Sequence, residues 1–189
     1  MPSYPEIQRS VQAAWVLARG DVRGMALFDL SVEGFWKSFA AALLVAPAYV
    51  IVLLDQYSVI GWPQHVPGTV LAEAVSFALG WLAFPIVTIF LTRLLGLGAR
   101  YVPLIVANNW SAVVQVALYT AVVIVGTLLP ANLRTLALFM ATLAVLTYQW
   151  FVIRTALQTT SATAFGLVMV DILISVMLSR GLDSLLQPG

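Results

Sequence analysis

A chain of 189 residues that is 61% hydrophobic and only 9% charged, with a mean hydropathy of +0.98, lies outside the range of water-soluble domains, where about 25% of residues are charged. Several spans of roughly 20 residues use nearly the whole length, so no separate soluble domain fits. The net charge of +1, carried by scattered rather than patched Lys and Arg residues, argues against nucleic acid as a partner, and the absence of cysteine excludes disulfides, thiolate catalysis and zinc–sulfur sites.

Residues 1–34 read as a cytoplasmic helix and linker. Between Pro5 and Arg19, Ile7, Val11, Ala14, Trp15 and Ala18 recur at helical spacing while Glu6, Gln8, Arg9 and Gln12 take the other sides, and Pro5 suits a first helical turn. This predicts an amphipathic interfacial helix, with Trp15, Arg9, Arg19 and Arg23 at headgroup level; packing onto the ends of a bundle gives the same pattern. Gly20 and Gly24 are expected to loosen the chain after it. The segment lacks a basic n-region followed directly by an apolar core and a small-residue cleavage site, so the first span is expected to stay in the mature protein.

That span is entered through Asp29-Leu30-Ser31-Val32-Glu33-Gly34-Phe35-Trp36-Lys37. Ser31 is a credible N-cap, Glu33 suits the first turn, and Phe35, Trp36 and Lys37 form an interfacial anchor. Asp29-Leu30 followed by Gly34-Phe35-Trp36 also resembles the Asp-Leu-Tyr-Gly-Pro-Phe-Trp entry of the Yip1 family, with Ser31-Val32-Glu33-Gly34 in place of Tyr-Gly-Pro and a spacing one residue longer. The resemblance covers about ten residues and the five-span topology. It implies a non-enzymatic membrane protein with a cytosolic N-terminus, linked in eukaryotic relatives to vesicle traffic and small GTPase partners.

Residues 35–189 are expected to form five transmembrane helices at about 35–54, 70–92, 103–129, 133–153 and 161–179, giving an all-α integral membrane protein. Pro47 is expected to kink the first span, Asp55 to end it, and Thr69 to cap the second. Arg9, Arg19, Arg23, Lys37, Arg93, Arg100 and Arg154 fall on the N-terminal side of this bundle and only Arg134 and Arg180 on the other. The positive-inside rule then predicts a cytoplasmic N-terminus and an exported C-terminus, in the inner membrane of a bacterial cell. A brief amphipathic tail is expected after Arg180, through Leu186.

Polar residues inside the spans are the candidate functional groups. Asp171 is a lone carboxylate about 15 Å into the fifth span, near the midplane, and such a group needs protein or water around it. Ala164, Val168, Asp171, Ser175 and Ser179 share a helix face that should turn inward, and Ala162 with Gly166 forms a small-xxx-small pair suited to close helix approach. In the third span Asn109 lies about 9 Å and Gln115 about 18 Å deep, which makes Gln115 the depth-matched partner of Asp171. Asn108 and Asn109 point about 100° apart, so they serve different neighbours or a break in the helix; Gln149 of the fourth span could approach their level. With no Lys or Arg at its depth, Asp171 is either protonated and hydrogen-bonded between helices or hydrated in a cavity.

Asp55, His65 and Glu73 could converge at the exported face, yet they lack a metal-ligand pattern and read as loop and headgroup contacts. No G-x-S-x-G, H-E-x-x-H or phosphate loop is present, so neither enzymatic activity nor a cofactor is expected. Two functional classes remain. The first is a non-catalytic bundle acting through membrane lipids and a membrane-protein partner or a second copy, as a Yip1-like organiser or accessory subunit. The second is a small proton- or cation-linked transporter or channel using Asp171, with Gln115, Asn108 and Asn109 as further candidates. Whether Asp171 faces a cavity or a dry contact discriminates them.

Overall fold

Each hydrophobic run folds as a helix, the conformation in which a segment without water satisfies its own backbone groups. The computed structural model describes residues 1–186, with side chains described as far as Gly181. Its helices are α1 Tyr4–Ala18, α2 Val32–Ser38, α3 Ala41–Ile60, α4 Val66–Leu94, α5 Tyr101–Gly126, α6 Ala131–Leu157 and α7 Ser161–Leu186, and no strand occurs among the described residues. Five segments are long and apolar enough to cross a membrane: Val32–Ile60, Val66–Leu94, Gly98–Gly126, Ala131–Leu157 and Ser161–Gly181. Large apolar side chains such as Leu43, Val50, Leu71, Phe90, Leu136 and Phe139 cover the outside, as expected of a surface whose solvent is lipid. The amphipathic tail rests on side chains beyond Gly181, outside the described residues.

The first crossing is two helices, with Pro47 inside the second of them. Ser38 Oγ donates to the Phe35 carbonyl at 2.7 Å, and the backbone tightens to three-residue hydrogen bonds from Ala40 to Lys37, Ala42 to Phe39 and Leu43 to Ala40. A hydroxyl that takes a helix carbonyl loosens the ladder at that turn, which places the break at Phe39–Ala40. Asp55 does not end the crossing, because α3 continues to Ile60. Nor is Thr69 the cap of α4: the helix starts at Val66 with a proline in its first turn, where a missing N–H costs nothing.

The helices close a ring in an order different from the sequence. α3 packs on α5, α5 on α6, α6 on α7 and α7 on α4. α3 and α4, although consecutive, meet through long side chains: the Tyr49 and Phe77 rings lie 4.9 Å apart, and Tyr49 and Tyr57 both reach Glu73. The dense packing gathers toward the end of the ring that carries α1, where Leu104, Ile105, Val152, Ile153, Ala156, Leu157, Ala164 and Val168 join one buried cluster with Ala13, Ala14 and Leu17.

α1 is docked onto this bundle end. Its buried residues are Ser10, Ala13, Ala14 and Leu17, and Ile7 and Val11 pack against the same cluster, so of the two placements the pattern allows α1 takes the bundle end, with Trp15 left 51% exposed. The Tyr148 hydroxyl donates to the Ala14 carbonyl at 2.6 Å, and Lys37 Nζ pairs with Glu6 at 2.6 Å and with Glu33 at 2.7 Å. Gly24 does not loosen the chain either; a Cβ there would lie 2.7 Å from the Ala13 carbonyl oxygen, so its bare backbone lets the following 3-10 turn, Val22–Leu27, lie against α1.

The Lys37 ammonium, with help from the Ser3 N–H, lowers the Glu6 carboxyl from 4.5 to about 2. A carboxyl lowered on folding contributes docking stability that is present above its unfolded value and lost as pH falls through its folded one. A spin label on a single cysteine at exposed Gln8 should therefore keep its restricted mobility from pH 7 to about pH 4 and gain mobility as pH approaches about 2. Release already complete at about pH 5 would show that Glu6 does not hold α1.

Candidate functional site

Asp171 sits on α7 one turn beyond the buried pair Val168 and Leu167, where the α6–α7 contact gives way to open space. Gln149 Nε2 donates to Asp171 Oδ2 at 2.6 Å, and Gln149 is itself 6% exposed. The partner is thus Gln149 and not Gln115. The reason lies in helix lengths. α6 runs to Leu157, four residues past its expected end, so Gln149 stands about 12 Å from the helix end, close to the level of Asp171. α5 starts at Tyr101, which carries Gln115 to about 21 Å, deeper than Asp171.

A cavity of about 630 Å³ opens beside this pair, lined by residues of all five crossing segments. Asp171, Gln149, Gln115, Asn108 and Asn109 all contribute to its wall. Gln115 Nε2 is buried without a hydrogen-bond partner among the described residues, a costly arrangement for a polar group. α5 is continuous through the asparagines; both border the cavity, and Asn109 Nδ2 also donates to Ser38 Oγ at 2.9 Å, tying α5 to α2.

On α7, Ala164 and Val168 are buried in the bundle and Ser175 and Ser179 line the cavity with Asp171, so the expected inward face has a packed half and an open half. Ala162 and Gly166 are exposed, and a Cβ on Gly166 would meet nothing within 4 Å; the pair brings no helix of this chain close.

Glu73 changes role. It lines the cavity and accepts hydrogen bonds from the Tyr57 hydroxyl at 2.6 Å and the Tyr49 hydroxyl at 3.0 Å, one on each oxygen. The tyrosines stand two turns apart on α3 with Leu53 between them at i, i+4, i+8 spacing; Tyr49 and Leu53 line the cavity, and Tyr57 reaches Glu73 from its rim. That spacing was the available signal for them. Asp55 is instead held by Arg134 Nη2, 2.7 Å from each carboxylate oxygen, and His65 is exposed with its ring over Gly68. Asp55, His65 and Glu73 therefore have separate surroundings, and no group of three or more metal-ligating side chains occurs among the described residues.

The entry residues have local work. Asp29 Oδ1 accepts from the Ser31 N–H at 3.0 Å, and Ser31 Oγ accepts from the Gly34 N–H at 3.0 Å; Ser31, through its hydroxyl and its N–H, lowers the Asp29 carboxyl below its usual value. Phe35 packs edge-on against Trp36 and Phe39, with Leu30 and Trp36 exposed.

No family model, curated protein or solved structure matches this chain. The site must be read from its own chemistry.

The lining spans most of the bundle's depth. At the α1 end it stops at Pro85, Asn108 and Gln149, each roughly 10–14 Å inside its helix end. At the other end it reaches Gln56, four residues from the close of α3, and Ser179 near the end of the fifth crossing. A polar chamber therefore lies against a dry floor, and Asp171 stands where the two meet.

Proposed function

We propose that this protein is a small transporter or channel that carries protons or a cation through the central cavity, with Asp171 as the group that takes up and releases the charge and Gln149 as the residue that positions it. The supporting observation is that Asp171 lines a cavity of about 630 Å³ and is not sealed in a dry helix contact; intramembrane acids beside water-accessible space are the groups proton and ion pathways use. The Lys and Arg excess at the α1 end supports a cytoplasmic N-terminus and an exported C-terminus, with the cavity extending toward the exported side. A role exercised only through lipid or protein contacts, as a Yip1-like organiser or accessory subunit, leaves this chamber without a use.

The test is flux. In proteoliposomes containing a pH-sensitive dye and driven by a potassium diffusion potential, the wild-type protein should move protons and Asp171→Asn should reduce the rate at least tenfold, to that of empty liposomes. Gln149→Leu should fall between them. An Asp171→Asn rate equal to wild type overturns the assignment, and a wild type no faster than empty liposomes favours the contact-acting role.

A further inference from the structure

The cavity has two carboxyl groups on its wall and no cationic side chain beside them: among the described residues, Glu73 and Asp171 are the acids that line it, and no Lys, Arg or His does. Asp55 shows what this chain does with a carboxylate that needs only structural compensation: it places Arg134 across from both oxygens. Glu73 receives two phenol hydroxyls instead. Phenol hydroxyls hydrogen-bond a carboxyl group without supplying a countercharge, which leaves that role to what enters the cavity.

The remaining walls narrow the class. From Glu73 toward the floor the wall carries the aromatic rings of Tyr49, Phe77, Trp81 and Phe84, with Tyr49 and Phe77 at 4.9 Å and Phe77 and Trp81 at 6.2 Å between centroids. Ring faces attract a soft cation and supply apolar area to its substituents, which a small, strongly hydrated metal ion does not need. A volume of about 630 Å³ is that of a pocket for an organic molecule, within the usual range of roughly 300–1,000 Å³. Its remaining polar groups are uncharged, amides such as those of Gln56, Asn108, Asn109, Gln115 and Gln149 and hydroxyls such as that of Ser175, suited to orienting rather than charging a guest.

Resting on the transport reading above, we infer that the guest is a monovalent organic cation with apolar substituents, an alkyl- or arylammonium or a phosphonium of similar shape, held between Glu73, the α3–α4 aromatic rings and Asp171. Glu73 and its two tyrosines form the recognition end. Asp171, a turn from the dry floor, is the end at which a proton and the guest compete for one negative charge.

Equilibrium dialysis of the full-length protein in a neutral detergent tests this with two ions of equal size and opposite charge, tetraphenylphosphonium and tetraphenylborate, against empty micelles. The expected result is saturable binding of the phosphonium at one per chain, with the borate at micelle background. Glu73→Gln and Asp171→Asn should each weaken phosphonium binding at least tenfold. Glu73→Asp should keep it, and Glu33→Gln, which removes an exposed carboxylate at the α1 end, should leave it unchanged. Equal binding of the two ions by the wild type overturns the inference without recourse to any variant, as does a Glu73→Gln protein that elutes as a single species and binds like wild type. Absence of phosphonium binding alongside Asp171-dependent proton flux overturns the guest class and leaves the transport reading standing. Phosphonium binding without Asp171-dependent flux does the reverse.

Discussion

Replacing Gly34 by alanine lowers the stability of the protein by roughly 3 kcal/mol, the upper end of what overpacking costs. The added Cβ would lie 2.1 Å from the Asp29 carbonyl oxygen and 2.7 Å from its carboxyl carbon. Both belong to the turn that starts the first crossing, and the nearer one is backbone, which cannot rotate aside as a side-chain end would. Relief requires Asp29 to move away, which breaks the Asp29–Ser31 and Ser31–Gly34 hydrogen bonds, each worth about 1 kcal/mol as a helix cap. Thermal unfolding in detergent should fall by roughly 6–12 °C. Gly166→Ala is the matched control, since its Cβ enters open space and removes a glycine from a helix interior, a gain of up to about 1 kcal/mol. If the Gly34 variant melts within about 2 °C of wild type, the Asp29 turn is not the rigid element described.

The second large effect is at the other end of the bundle. Arg134→Met strips Asp55 of its countercharge. The two side chains retain only 17% and 24% exposure, so solvent screens the pair partly but does not replace it. Removing one partner of a fully buried pair costs about 3–5 kcal/mol, and the residual exposure reduces this to roughly 2 kcal/mol. Asp55→Asn should cost less, because a freed arginine can extend toward water while a carboxylate on a short stem cannot. In the double variant Asp55→Asn/Arg134→Met most of the loss should be recovered, and melting temperatures of all four proteins give the cycle. Additive single effects would mean that the contact contributes nothing to holding α3 on α6.

The five crossings and the odd acid of the last one were legible because both depend on local composition: twenty apolar residues must form a helix in lipid, and Asp171 stands out among them. What composition does not carry is where each helix stops. Gln149 was set too shallow because Tyr148, Gln149 and Trp150 look like an interfacial belt, yet α6 continues to Gln158, whose left-handed backbone (φ 51°) ends it. That extra turn replaced Gln115 by Gln149 as the partner of Asp171. Tyr49 and Tyr57 were missed for a related reason: the first span was expected to stop at residue 54, which leaves Tyr57 in a loop, whereas α3 continues to Ile60 and carries both hydroxyls to Glu73. The docked face of α1 was legible in part, through Ile7, Val11 and Ala14; Ser10 and Ala13, buried with Leu17, carry a weaker signal because their hydrophobicity is slight although their small size permits close approach.

The uneven packing of the bundle separates two kinds of mutational tolerance. Around α1, where Leu104, Ile105 and Ile153 have no exposed surface, a truncated side chain leaves a void that neighbours cannot fill, and that void adds to the loss of burial. Along the chamber the space already exists, so Val52, Leu53 or Val145 can change size without creating a new one. One half of the molecule is thus constrained to preserve the fold, and the other is free to be reshaped by selection or by design toward different guests while the first half keeps it folded.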